Sequence, residues 1–476
     1  VTVNLDGLPP WGTVSNIEAS RFAVGSAYVT VDLHQVDDRD PYVYRTNDFG
    51  ASWTPITNGI PRGMLSYAHV IREDPERRGM LYLGTENAVY LSIDDGDNWL
   101  PLRNNLPPAP VHWLTIQEAF GDLVLGTYGR GFWILDDLSP LRQLDDGVLA
   151  SRAHLFEPRP AYRLLRRSLP GEPDRDGPRG YREDPPFGAP INYYLADSIV
   201  DDGGSEGEAT ITIRDDFGNV VRTLHGNASA GINRVYWDLR HEESPPIELR
   251  TPPLGHPGVA FGPDSIGYND EGWRELDVEG SGPNGPLAVP GRYAVEVDVG
   301  GHLLTTTLEV VKDPTSAASK DDIRAQIDLA LRIRDQVNVL TEMGNSIEWI
   351  RKQIDDLEDL MRGRSDMTEA QRAAAAFDQK LIDLEREFYI LRTTGASENL
   401  LRFPAGLFSH FKMLGGYVTT GDARPTPSKY EVFDELSARL EQHREIYGSL
   451  ISTDLDEFNS IARAHGLPGV AVPPQN

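Results

Sequence analysis

Thr46-Asn47-Asp48-Phe49-Gly50-Ala51-Ser52-Trp53 and Ser92-Ile93-Asp94-Asp95-Gly96-Asp97-Asn98-Trp99 share one pattern: hydroxyl, any residue, Asp, any residue, Gly, any residue, polar residue, Trp. The two octets stand 46 residues apart, within the roughly 40 to 50 residues at which four-stranded blades repeat around a propeller. Each follows a strand-like run, Tyr42-Val43-Tyr44 or Val89-Tyr90-Leu91. Each therefore reads as a hairpin turn. Asp48 and Asp94 cap the backbone, Gly50 and Gly96 supply a positive φ, and Trp53 and Trp99 pin the turn to its blade. These six residues carry fold, not chemistry.

Outward from the octets, three blade-like units are legible over residues 1–150. The first runs from Val14 to Trp53. The second contains His69-Val70-Ile71, Met80-Leu81-Tyr82-Leu83, Ala88-Val89-Tyr90-Leu91 and Trp99. The third contains Val111-His112-Trp113-Leu114, Leu123-Val124-Leu125 and Gly131-Phe132-Trp133-Ile134-Leu135, with a last strand expected near Leu141. It has no octet, reading Asp136-Asp137-Leu138-Ser139-Pro140 where one would fall. Regular propellers close with about four to eight blades, so three would leave apolar sheet faces unpartnered. The expected partner is a set of N-terminal blades, upstream on the same precursor or on a second chain.

The octets, with Trp11-Gly12-Thr13-Val14-Ser15-Asn16-Ile17-Glu18, Leu81-Tyr82-Leu83-Gly84-Thr85-Glu86 and Gly129-Arg130-Gly131-Phe132-Trp133-Ile134-Leu135-Asp136-Asp137, resemble the C-terminal part of a bacterial family. It comprises large exported proteins with Asp-box β-propeller repeats, of bacterial neuraminidase type or sortilin-like, labelled as glycosyl hydrolases. The resemblance implies a partial propeller, followed by accessory domains, in a secreted, periplasmic or cell-surface protein. The chain starts at Val1 rather than Met, as expected of a product from which a leader has been removed.

Beyond the blades the expected fold class is multidomain β plus α. Residues 151–190 read as a linker, since Ser168 to Pro190 are rich in Pro, Gly, Asp and Arg. Alternating runs from Ile191 to Val311 read as an immunoglobulin-like β-sandwich over 191–312, with a long Pro/Gly-rich insertion at 241–290 able to wrap a neighbouring surface. From Ser319 the apolar period becomes helical, giving a helical bundle over 318–465 and a Pro-rich tail at 466–476. Ser319-x-x-Asp322 and Thr368-x-x-Gln371 read as helix starts. Phe377, Leu381, Leu384, Phe388 and Leu391 mark a second long helix.

Composition removes several functions. Against 45 Lys and Arg stand 73 Asp and Glu, a net charge of -28, which repels nucleic acid and anionic membranes. No apolar run reaches the roughly 20 residues of a membrane span. The chain has no cysteine, excluding disulfides, thiolate catalysis and cysteine-based zinc sites. No phosphate loop, dinucleotide fingerprint or nucleophile elbow stands out, so no cofactor is expected.

For chemistry the weak catalytic candidates are Glu86, Asp136 and Asp137. Glu86 follows a strand and would line a channel. Asp136 and Asp137, adjacent on a strand, point to opposite faces and cannot form a glycosidase pair together. Asp136 and Asp137 otherwise read as turn caps before Pro140. The binding candidates are Trp113, Tyr128, Arg130 and Trp133: aromatic faces that stack on sugar rings or cap peptide side chains, and a guanidinium that orients a ligand. Trp113 and Trp133 read otherwise as inter-blade core. A sialidase-like site needs an arginine cluster and a tyrosine nucleophile, and only Arg130 and Tyr128 match. His34, His69 and His112 share no local ligand spacing and read as separate packed or solvated side chains, so no metal is expected. The favoured reading is an exported propeller that recognises or scaffolds an extracellular polypeptide or glycan. The alternative is a glycoside hydrolase or lyase acting on an extracellular polysaccharide.

Overall fold

The computed structural model describes residues 5–164, 186–200, 207–255, 273, 285–392 and 403–473. Three small antiparallel sheets come first. One is β1 (Thr13–Ala19), β2 (Ala27–Asp32), β3 (Tyr42–Thr46) and β4 (Thr54–Pro55), paired in chain order. The next repeats that order with β5 (Ala68–Glu73), β6 (Leu81–Thr85), β7 (Val89–Ser92) and β8 (Leu100–Leu102). The third has three strands, β9 (Val111–Gln117), β10 (Asp122–Thr127) and β11 (Phe132–Leu135). The first strands sit side by side, β1 against β5 and β5 against β9. This is a propeller-like stack. The strand expected near Leu141 is instead a short helix, α1 (Ser139–Gln143), begun by Pro140 in its first turn, where a missing N–H costs nothing.

The core between blades is apolar on alternate strand positions. Val43, Ile56, Ala68, Ile71, Leu81 and Leu83 fill the first seam. Val70, Tyr82, Val89, Val111, Leu114, Leu123 and Leu125 fill the second. The outer faces are less covered: Val14 and Ile17 are exposed on the first blade, and Trp113, Phe132 and Ile134 on the third.

The octets form matched turns. In the first, the Thr46 hydroxyl donates to Asp48 (2.9 Å) and accepts from the Gly50 amide (3.0 Å), while the Ser52 amide and hydroxyl both donate to Asp48 (2.8 and 2.6 Å). In the second, Ser92, Asp94, Gly96 and Asn98 make the same set at 2.7–2.9 Å. Phe49 and Gly50, like Asp95 and Gly96, have positive φ, as the two central residues of a type I′ hairpin turn require. The tryptophans differ. The Trp53 indole donates to Gly50 inside its own turn, whereas Trp99, buried, donates to the Ile56 carbonyl of the preceding blade.

A second β unit follows, and it begins earlier than the linker reading allowed. Helix α2 (Asp146–Ala150) is capped by the Asp145 carboxylate. Strand β12 (Ala153–Leu155) pairs with β14 (Ala189–Leu195), and β13 (Ala161–Arg163) pairs in parallel with β19 (His302–Lys312). Within the expected linker, Ala153–Leu155 and Ala161–Arg163 are therefore strands, with Leu155 and Ala161 reaching the buried core; the rest of the linker lies largely outside the described residues. With β15 (Glu208–Arg214), β16 (Val220–Asn227), β17 (Gly231–Trp237) and β18 (Gly291–Val299) these strands make sheets of three and five, which share one core.

The helices are α3 (Lys320–Met361), α4 (Thr368–Glu385), α5 (Leu407–Thr419), α6 (Pro427–Ser449) and α7 (Leu455–Ala464), around a common core. Ser319 and Asp322 close a reciprocal capping box. The box expected at Thr368 does not form: Met367 occupies the cap position, the Thr368 hydroxyl donates to Ser365, and Gln371 donates back to Met361. Helix α4 ends at Glu385, so Phe388 and Leu391 belong to the following segment, buried in the same core by tertiary packing. In the 241–290 insertion, Ile247 and Leu249 lie inside the helical core and Thr251 donates to Glu348, whereas Leu287 and Ala288 join the core of the second β unit. Leu467 and Val470, in the Pro-rich tail, are also buried there. Among the described residues no helix is long and apolar enough to cross a membrane.

Candidate functional site

The first strand of each blade carries one extra residue near its start. Register breaks between Val14 and Asn16, between Ala68 and Val70, and opposite Gly126 and Thr127, leaving Ser15, His69 and His112 unpaired. A β-bulge re-aims its extra side chain. Here it turns these side chains towards the neighbouring blade.

The consequence is a ladder of rings across all three blades. His34 stacks on Tyr67 (centroids 5.0 Å apart), Tyr67 meets His69 edge-on (5.2 Å), His69 meets His112 (4.3 Å), and Tyr128 stacks on His112 (5.6 Å). Carboxylates stand beside it. Asp32 pairs with His34 Nδ1 at 2.6 Å, and a Glu86 oxygen lies 2.8 Å from His69 Nε2 and 3.8 Å from His112 Nε2. The Glu86 amide donates to the Tyr67 carbonyl, which fixes the connection between β6 and β7 against the base of the ladder.

Burial sets the electrostatics. Desolvation lowers the His69 pKa, which keeps the ring neutral, and Glu86 opposes that shift only in part. The Tyr67 hydroxyl is pushed up to about 12 by burial first and then by its hydrogen bond to Glu86. The ladder thus runs from the buried Tyr67 and the half-buried His69 and Glu86 to the exposed His112 and Tyr128. Ligating atoms of His69, Glu86 and His112 all lie within 4.8 Å of one another, so the three histidines are not separate side chains as the sequence reading had them. Adjacent bulges join two of them and the third stacks on Tyr67.

The other candidates disperse. Glu86 and Tyr128 join the ladder. Trp113 is exposed, with the Arg72 guanidinium 4.5 Å over its ring; Arg72 in turn bonds Asn16 and pairs with Glu18. Arg130 is exposed, and its carbonyl accepts from the Trp133 indole. Trp133 packs partly against the second seam. Asp136 and Asp137 lie at the far end of β10 and β11, against the second β unit. Arg234 donates to both their carbonyls, and Asn192 to the Asp137 carboxylate. The Asp137 carboxylate also accepts from the Ser139 amide, a turn cap. Burial raises the Asp136 pKa. At about 3.3 Å per residue, β10 separates these carboxylates from Glu86 by more than the roughly 5 to 9.5 Å of a glycosidase pair.

Tyr67 and Asp32 were missed by sequence reasoning, and His34, His69 and His112 were set aside. The available signal was positional: Ala68-His69-Val70 and Val111-His112-Trp113 open the first strands of successive blades.

No protein-family model matches this chain, and none of the curated proteins matches it in sequence. Among solved structures, a GH74 enzyme of Niastella koreensis is similar over 65% of this chain and 40% of its own, at 10% identity and a TM-score of 0.23. A GH74 xyloglucanase from Xanthomonas campestris is similar over 67% of this chain and 40% of its own, at 12% identity and a TM-score of 0.21. An ancestral GH74 enzyme is similar over 63% and 46%, at 10% identity and a TM-score of 0.21. This chain thus spans less than half the length of those enzymes, and overlap at these scores establishes neither activity nor substrate for it.

Proposed function

We propose that this chain is an exported recognition protein whose blades bind a neutral or cationic extracellular polymer, a glycan or a polypeptide, along the ring ladder. The observation that carries this reading is the unbroken run His34–Tyr67–His69–His112–Tyr128, flanked by Asp32 and Glu86. Flat rings accept sugar faces or peptide side chains, and the carboxylates accept from hydroxyl or ammonium groups. The net charge of -28 disfavours polyanions. Further blades, on the same polypeptide or a second chain, complete the ring in this proposal; the exposed Val14, Ile17, Phe132 and Ile134 support it.

The test is a glycan array and a peptide library probed with the intact protein and with Tyr128→Ala. Tyr128 is 73% exposed, so its truncation should leave the melting temperature unchanged while weakening binding. Binding identical to the parent's would overturn the ladder as the recognition surface.

A further inference from the structure

The two bulged histidines and Glu86 do more than extend an aromatic surface. Two imidazole nitrogens and a carboxylate oxygen converge from β5, from β9 and from the turn after β6, within 4.8 Å of one another. A tetrahedral ion with bonds of about 2.0–2.1 Å holds its ligand atoms about 3.4 Å apart. The observed separations from Glu86, 2.8 Å to His69 Nε2 and 3.8 Å to His112 Nε2, bracket that value. The third separation, between the two imidazole nitrogens, lies within 4.8 Å.

We propose that His69 Nε2, the Glu86 carboxylate and His112 Nε2 bind a divalent transition-metal ion of the zinc class. The donor set selects the class: two imidazoles and one carboxylate suit zinc or its neighbours, whereas calcium and magnesium demand oxygen ligands. His69 is only 13% exposed, so its ring is held in place by the packing around it. The surroundings orient the ligands as outer-shell groups do. The Tyr67 hydroxyl is bonded to Glu86, and the Tyr128 ring lies nearly parallel to His112, at 15°. His112 is half exposed, so the remaining coordination positions open towards solvent, available to water or to a donor atom of a bound polymer.

This proposal does not rest on polymer recognition, because the ion alone is the probe. The intact protein, stripped with a chelator and dialysed, is titrated with Zn²⁺ by calorimetry and with Co²⁺ by visible absorption. The expected result is one ion per chain with the intense ligand-field band of four-coordinate Co²⁺. His112→Ala, which removes an exposed side chain and should melt like the parent, should lose the band and the high-affinity ion; Glu86→Gln should weaken both. Mg²⁺ and Ca²⁺ in excess should not displace Co²⁺. Failure of the stripped parent to bind either ion would overturn the proposal. So would retention of the same ion by His112→Ala, which would place it on scattered surface groups. Polymer binding is measured separately in chelator, so loss of one property leaves the other legible.

Discussion

His69 and His112 occupy the same bulged position in the first strands of adjacent blades, and their ring centroids stand 4.3 Å apart. Each bulge leaves one residue outside the ladder of backbone hydrogen bonds, free to aim sideways. At the equivalent place in the first blade, Ser15 bonds Thr30 and the Ala68 carbonyl instead. One backbone irregularity, repeated, bonds Ser15 into the packing of one blade and brings two imidazoles together from the next two.

The two octet tryptophans should not be equivalent. Trp99 is buried and ties the second blade to the first through Ile56, whereas Trp53 is half-buried and bonds only within its turn. Trp99→Ala should destabilise the protein by about 3 to 5 kcal/mol, and Trp53→Ala by clearly less. Denaturant melts of the two variants decide this; equal losses would refute the inter-blade role of Trp99.

The octet glycines should differ likewise. Both have positive φ, so alanine is strained at either. A Cβ on Gly96 would also sit 2.6 Å from Ile56 Cδ1, while one on Gly50 meets only the Trp53 ring at 3.6 Å. Gly96→Ala should therefore cost more than Gly50→Ala, by about 1 kcal/mol or more of overpacking, read from paired thermal melts.

Asp48 should govern part of the acid stability. Hydrogen bonds from Ser52, and then from Thr46, hold its carboxyl down at about 2. A folded-state pKa below the unfolded value of about 3.9 stabilises the fold above that value, and the contribution is lost as pH falls through 2. The difference in melting temperature between the parent and Asp48→Ala should be greatest above about pH 4 and shrink towards pH 2. A constant difference across that window would show that the turn does not depend on the charge.

The helices carry the opposite dependence. Arg351 is buried between Glu348 and Glu385, bonded to both. Arg351→Met should cost about 3 to 5 kcal/mol by leaving the buried Glu348 carboxylate without its guanidinium partner. Burial, reinforced by Glu348, raises the Glu385 pKa well above the ordinary range. A raised folded value stabilises fully below the unfolded pKa of about 4.3 and is lost as pH rises through the folded one. Glu385→Gln, which stays neutral, should gain on the parent as pH rises from 4 to 8. A gap that does not grow, measured by thermal melts across that range, would exclude a protonated Glu385.

Some of this was settled within a few residues of chain. Asp, Gly and hydroxyl side chains make their turn bonds to backbone two to four positions away, so Asp48, Gly50, Asp94 and Gly96 declared their geometry directly. The Ser319 capping box was equally local. Where a choice depended on contacts across the fold, the sequence was silent or misleading. Thr368 and Gln371 fit a cap pattern, yet Gln371 found Met361; Phe388 and Leu391 continued a helical period that the chain abandons after Glu385. The candidate site was legible only in Glu86 and Tyr128; its assembly lies on the tertiary side. His69, Glu86 and His112 meet only because two strands slip register by one residue in adjacent blades. Such a slip shifts the in/out alternation by one residue, as in β9, where Val111 and Leu114 are both buried three positions apart, but local propensity does not say where the extra side chain points; the packed neighbour decides that.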